Sequence, residues 1–196
     1  MNLVDRAKNI IMTPKTEWSA IAGETPNIAG IITGYVLPLA LIPTVASILG
    51  GILFAHFVST GYLIATALVA FVVAILAVFL AAYVIDFLAP NFGSEKNLGR
   101  SVQLVAYAYT PAWVAGVLNI IPALGIIAAL AGIYGIYLMY LGLPVLKKTP
   151  TDKVVVYLVI SIVVLLVIYF ILAAIFTAIV LAILGVGAVA SGAVGM

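Results

Sequence analysis

The chain has 196 residues, 66% of them hydrophobic and only 7% charged, with a formal net charge of +2. A soluble domain carries about 25% charged residues to hydrate its exterior, so most of this chain's surface has to face lipid. The small net charge and the lack of an arginine-rich stretch argue against a nucleic-acid partner. The absence of cysteine excludes disulfides, thiolate metal sites and thiol nucleophiles.

Residues 1–27 are read as a cytoplasmic, interfacial segment. Leu3, Val4, Ala7, Ile10 and Ile11 follow helical spacing, with Asp5, Arg6, Lys8 and Asn9 largely elsewhere on the wheel. Thr13-Pro14 starts a second helix, with Thr13 as cap and Pro14 at the first helical position, and Gly23 or Pro26 ends it. The expectation is one or two short amphipathic helices lying on the inner leaflet, with Trp18 as an interfacial anchor. Acidic residues alternate with basic ones here and no clean apolar core precedes Ile28, so the first long apolar segment reads as a retained signal anchor.

Residues 28–184 hold five stretches long enough to cross about 30 Å of hydrocarbon. The first runs from about Ile28 to Phe54 and contains Pro38, Pro43 and Gly50-Gly51. The second runs from about Tyr62 to Leu88. The third, Ser101 to Asn119, is the shortest, and Thr110-Pro111 near its middle predicts a kink, with the Thr110 hydroxyl bonding back to Ala106. The fourth runs from Ala123 to Leu146, and the turn Ile120-Ile121-Pro122 makes it an antiparallel hairpin with the third. The fifth begins at Lys153 and stays apolar to about Leu184, leaving residues 185–196 as a Gly/Ala-rich tail. The fold class is therefore all-α, a polytopic membrane protein of five transmembrane helices.

Lysine and arginine accumulate in short cytoplasmic loops. All eight basic residues fall before the first span, between the second and third, or between the fourth and fifth, and the six acidic residues lie on the same side. Five crossings with the N-terminus cytoplasmic and the C-terminus outside satisfy that segregation.

Within the spans, Gly30 and Gly34, the stripe Ala108, Ala112 and Gly116, and the pairs Ala128/Gly132 and Ala131/Gly135 are expected to let helices approach closely. Tyr134, Tyr137 and Tyr140 recur every three residues. Tyr140 suits the inner aromatic belt, and the other two suit packing positions with hydroxyl partners among Tyr107, Tyr109 and Asn119. Asp86 is the one carboxylate within a span, near its inner end, with Arg100 or Lys96 as the expected partner. His56 stands alone, which gives no metal site. No catalytic set, phosphate loop or cofactor motif appears, and the expectation is a protein without enzymatic activity.

Pro14-x-x-Glu17-Trp18, Tyr107-Ala-Tyr-Thr-Pro111, Asn119-Ile-Ile-Pro122 and Gly132-Ile-Tyr-Gly-Ile-Tyr-Leu-Met-Tyr-Leu-Gly-Leu-Pro144 together resemble the bacterial branch of the Ypt-interacting protein (YIP) domain family. The resemblance implies five spans, a cytoplasmic N-terminus and residence in a cell inner membrane. Eukaryotic members interact with Rab-type GTPases in vesicle traffic. The Asp-Leu-x-Gly-Pro motif before their first span is replaced here by Ala22-Gly-Glu-Thr-Pro26, so that role does not carry over.

Two functional classes remain. One is a non-catalytic scaffold or adaptor that organises bilayer or protein partners, including copies of itself, from its cytoplasmic face. The other is a small channel or transporter lined by the third and fourth spans, a path poor in the polar groups that charged solutes require.

Overall fold

A computed structural model describes residues 2–54 and 58–192, with the side chains of residues 122, 129 and 175–192 left aside. His56 lies outside the described residues. Two compact units divide the chain, residues 1–158 and residues 159–196.

Among the described residues the structure is helical and has no strand. The first unit opens with α1 (Leu3–Met12) and α2 (Pro14–Ala22). The side chain of Asn2 caps α1 through the amide of Asp5, and Pro14 sits in the first turn of α2, where its missing N–H costs nothing. The next helix starts as α3 (Ile28–Ile31), widens into a π-turn over Ile32–Val36 and continues as α4 (Leu37–Phe54). Pro38 explains the widening. Its ring crowds the carbonyl four residues back, and an i→i+5 turn, in which the Leu37 amide bonds to Ile32, relieves that clash.

α5 (Thr60–Leu88) ends in a 3₁₀ turn over Ala89–Phe92, and Gly93 leaves that turn with φ +68°. Then come α6 (Leu98–Ala108), α7 (Thr110–Ala115) and 3₁₀ turns over Gly116–Ile120 and Pro122–Leu124. α8 (Gly125–Lys147) follows, and α9 starts at Val154. In the second unit, α9 continues to Gly192. Helix therefore runs through positions 185–192, where the sequence suggests a separate tail, because the Gly/Ala/Val run contains no proline to stop it.

Four helical stretches are long and apolar enough to cross a membrane: Ile28–Phe54, Thr60–Phe92, Gly125–Lys147 and Val154–Ala174. The expected third span is instead divided into α6, α7 and a 3₁₀ turn, with the break at Tyr109. Pro111 lacks the N–H an uninterrupted ladder needs, so the chain restarts there as a new first turn. The Thr110 hydroxyl bonds to the carbonyl of Tyr107 at 2.7 Å rather than to that of Ala106, because the restart leaves the Tyr107 carbonyl nearer.

α6 is the core of the first unit. Every residue from Ser101 to Ala108 is buried, with α5, α8 and α3 packed around it. This is why its sequence is the least oily of the expected spans: it shows lipid almost nothing.

The small residues serve unequally. A Cβ on Gly135 would stand 2.6 Å from the carbonyl oxygen of Ala108, so the expected close approach of α6 and α8 is present. Gly116 instead faces Pro43, and a Cβ on Gly50 would meet the carbonyl oxygens of Asn119 and Ile120 at 2.6 Å. Gly34 and Gly132 have open space around them, so the expected Gly30/Gly34 packing face is not made.

Replacing Gly50 by alanine should therefore lower stability by about 1–3 kcal/mol, the usual cost of overpacking against atoms that cannot yield. Gly34→Ala should leave stability near its starting value. Thermal unfolding of the two variants in the same detergent checks this difference.

Candidate functional site

The polar residues of the first unit gather where α1, α2, α6, the C-terminal end of α5 and the last turn of α8 meet. Their arrangement follows from one requirement. A buried charge or amide with no water nearby must be matched by another group of the chain.

Asp86, on the last turn of α5, is matched by Lys147 at the end of α8. The Lys147 ammonium has 0% side-chain exposure. It donates to Asp86 Oδ1 at 2.7 Å, to the Ser101 hydroxyl at 2.8 Å and to the carbonyl of Asn97 at 3.1 Å, which uses all three of its protons. Asp86 Oδ1 also accepts the Asn97 amide at 2.7 Å. Neither Arg100 nor Lys96, the expected partners, holds this carboxylate. Arg100 turns away to cap the end of α2, donating to the carbonyls of Ile21 and Ala22 at 3.1 and 2.8 Å and to Gln103 Oε1 at 3.0 Å. The adjoining loops are laced by Ser94 to Thr149 at 2.8 Å and by the Glu95 amide to the Lys147 carbonyl at 2.8 Å. Tyr157 stacks on Phe92 with ring centroids 4.7 Å apart and donates to the carbonyl of Ile85.

A second cluster fastens the N-terminal helices. Buried Arg6 on α1 pairs with buried Glu17 on α2 at 2.7 Å and with Glu24 just beyond it, and its guanidinium lies 5.4 Å from the ring centre of Tyr107. Tyr107 meets Tyr35 edge-on at 4.8 Å. Thr110 gives its one proton to the Tyr107 carbonyl, so the 2.7 Å contact between Tyr35 and Thr110 has the phenol as donor.

The sequence places Trp18 at a lipid interface, and the structure corrects this. Trp18 is 0% exposed. Its ring occupies the notch beside Gly142 and Leu104, and a Cβ on Gly142 would stand 2.9 Å from the indole. α1 and α2 accordingly pack on α6, α7 and α8 rather than resting on a leaflet. Amphipathic spacing identifies a buried stripe but not what covers it.

The tyrosines of α8 do not form a seam. Tyr134 donates to the carbonyl of Ile11 at 2.8 Å, not to the expected partners, while Tyr137 and Tyr140 are 44% and 42% exposed. Thr110 and Pro111 are buried at the α6–α7 break. Asn119 is half-buried in the 3₁₀ turn whose carbonyls press on Gly50, and Pro122 opens the next turn. Sequence reasoning missed Lys147 and Gln103. Lys147 falls at the C-terminal end of an apolar helix, where it resembles any flanking charge. Gln103 lies in the shortest expected span, and a lone amide in a crossing segment was the available signal.

An all-helical chain with four helices of membrane-crossing length, and with its buried charges paired at helix ends, is a multi-pass membrane protein. Residues 8–175 match the Yip1 domain, and the chain belongs to that family. Comparison with curated proteins and with solved structures returns no match.

Two consequences can be measured. Lys147→Met strands a buried carboxylate and should cost about 3–5 kcal/mol. Lys148→Met removes only the exposed pair with Glu95, 71% and 54% exposed, and should cost under about 1 kcal/mol. Chemical denaturation in micelles compares the two. Arg6→Met leaves Glu17 buried without its cation, and should release α1 and α2 so that limited proteolysis cuts between residues 1 and 27 while the remaining helices stay protected.

Proposed function

We propose that this protein is a non-catalytic membrane scaffold, with five crossings of a cell's inner (plasma) membrane, its N-terminus cytoplasmic and its C-terminus outside. The third crossing is the run of α6, α7 and the following 3₁₀ turn, residues 98–120, whose helical path is about 35 Å long. Support for one inner face comes from the ion pairs and hydrogen bonds that join the basic segments. Arg6 meets Glu17 and Glu24, Arg100 meets the end of α2, and Lys147 and Lys148 reach Asp86 and Glu95.

The observation that carries the scaffold reading is the docked N-terminal hairpin. α1 and α2 are held by the buried Arg6–Glu17 pair, with exposed Glu24 beside it, and by a buried tryptophan, and they present Val4, Lys8 and Met12 outward along one stripe of α1. A rigid stripe of that kind suits a protein partner at the cytoplasmic face or a second copy of the chain. Buried polar groups spent on one another favour a structural role over enzymatic chemistry.

A channel or transporter along α7 and α8 has less behind it. The space between them, about 230 Å³ beside Tyr109, Gly132 and Gly135, is mostly apolar. Flux through proteoliposomes, compared with Pro111 and Tyr137 variants, discriminates the two readings, and the scaffold predicts no flux.

The chain has no cysteine, so single cysteines report cleanly. Lys8→Cys, Lys96→Cys and Lys148→Cys should react with a membrane-impermeant thiol reagent only from the cytoplasmic side, and Ser59→Cys and Ile121→Cys only from the other. Labelling of Lys8→Cys and Lys148→Cys from opposite sides would refute the five-crossing arrangement.

A further inference from the structure

Between α1, the α2–α3 connection and the start of the first apolar helix lies a cavity of about 370 Å³, within the range of small-ligand sites. Arg6, Glu24, Asn27, Gly34, Gln103 and Tyr107 contribute to its lining. Two of these have unspent donors. Gln103 is 1% exposed, its oxygen accepts from Arg100, and its amide nitrogen has no partner among the described residues. The Tyr107 hydroxyl likewise has none, although the residue is 6% exposed. Both atoms open onto the cavity instead of being sealed in the protein, so a ligand acceptor placed there meets two donors that the chain does not use.

Charge narrows the ligand. Arg6, the cation of the lining, is shared between Glu17 and Glu24, while Arg100 stands behind Gln103 at 3.0 Å with only neutral oxygens as partners, so the charges around the cavity balance. A ligand that is neutral overall, with an anionic acceptor group beside Gln103 and an ammonium beside Glu24, matches that balance better than a purely anionic one. The Glu24 side chain, 43% exposed, is the accessible carboxylate for the ammonium.

Position narrows it further. Asn27 caps α3, and apolar sequence begins at Ile28. Gly30 and Gly34 lie one and two turns into that segment. Both are exposed, and Gly34 has no atom within 4 Å of where its Cβ would be. An open glycine groove thus runs from the polar cavity along the first apolar turns, the depth at which a lipid headgroup joins its chains.

We infer that this cavity binds the headgroup of a zwitterionic phospholipid with a primary amine, of the phosphatidylethanolamine type. The phosphate accepts from Gln103 Nε2 and the Tyr107 hydroxyl, the ammonium pairs with Glu24, and an acyl chain follows the Gly30–Gly34 groove. A choline headgroup has no N–H to donate, and a glycerol headgroup leaves the carboxylate unmatched.

Native mass spectrometry of the delipidated full chain tests this. The probes are phosphatidylethanolamine, phosphatidylcholine and phosphatidylglycerol with identical chains, and free phosphoethanolamine. The ethanolamine lipid should be retained about tenfold better than the other two lipids, and free phosphoethanolamine should not displace it at equal concentration. Gln103→Glu keeps the acceptor for Arg100 but turns a carboxylate on the phosphate, and Gly34→Leu fills the groove in open space. Each should lower retention about tenfold, and Gly34→Leu should do so with thermal unfolding in detergent unchanged. Equal retention of the three lipids overturns the site. Retention unaffected in both variants overturns it too, and full displacement by free phosphoethanolamine overturns the lipid as occupant.

Discussion

The structure depends on the rule that a polar group out of reach of water must find its partner inside the chain. α6 is where the rule bites hardest. It is buried on every side yet contains Ser101, Gln103 and, just beyond its end, Thr110. Ser101 is used by Asp86 and Lys147, Gln103 by Arg100, and Thr110 by Tyr35 and a carbonyl. Ser101 ties α5 and α8 to α6, Thr110 ties the first apolar helix, and Arg100, braced by Gln103, ties the end of α2, so the same side chains that would be liabilities in hydrocarbon set the register of their neighbours.

Much of this fold was legible in sequence, because hydropathy reports lipid contact directly. Ile28–Phe54 was found to the residue and two other helices within a few residues of their ends, while the last apolar stretch was found only at its start. What failed was of one kind. Periodicity says that Leu3, Ala7 and Ile10 are covered, and that Trp18 prefers an apolar neighbour with a polar rim, but it does not distinguish a leaflet from a protein groove. The groove that receives Trp18 is made by Gly142, more than a hundred residues away, and glycine leaves no hydropathy signature of a notch. Asp86 was found, but its partner was sought nearby in sequence. Lys147 reaches it because two loops fold onto each other, which no local pattern reports.

The glycines show the same divide. Their spacing marks where helices are able to meet, and Gly135 against Ala108 honours it. Gly50 was noted only as half of the Gly50-Gly51 pair, yet two carbonyls lie against it. Gly34 follows the small-residue spacing as well as any, and it is vacant. Spacing permits contact, and the neighbouring chain decides whether contact occurs. The Yip1 domain match covers nearly the whole of the first unit, so the Asp86–Lys147 cluster and the interrupted α6–α7 run belong to the family region.

The interruption at Tyr109 bears on how the chain is made. A segment broken after eleven residues of α6, and dotted with Arg100, Gln103, Thr110 and Asn119, partitions poorly from a translocon by itself. The ribosome delivers α8 only after it, and Lys147 at the far end of α8 supplies the ion that Asp86 awaits. The cover over α6 is thus completed only by a helix that follows it in the chain.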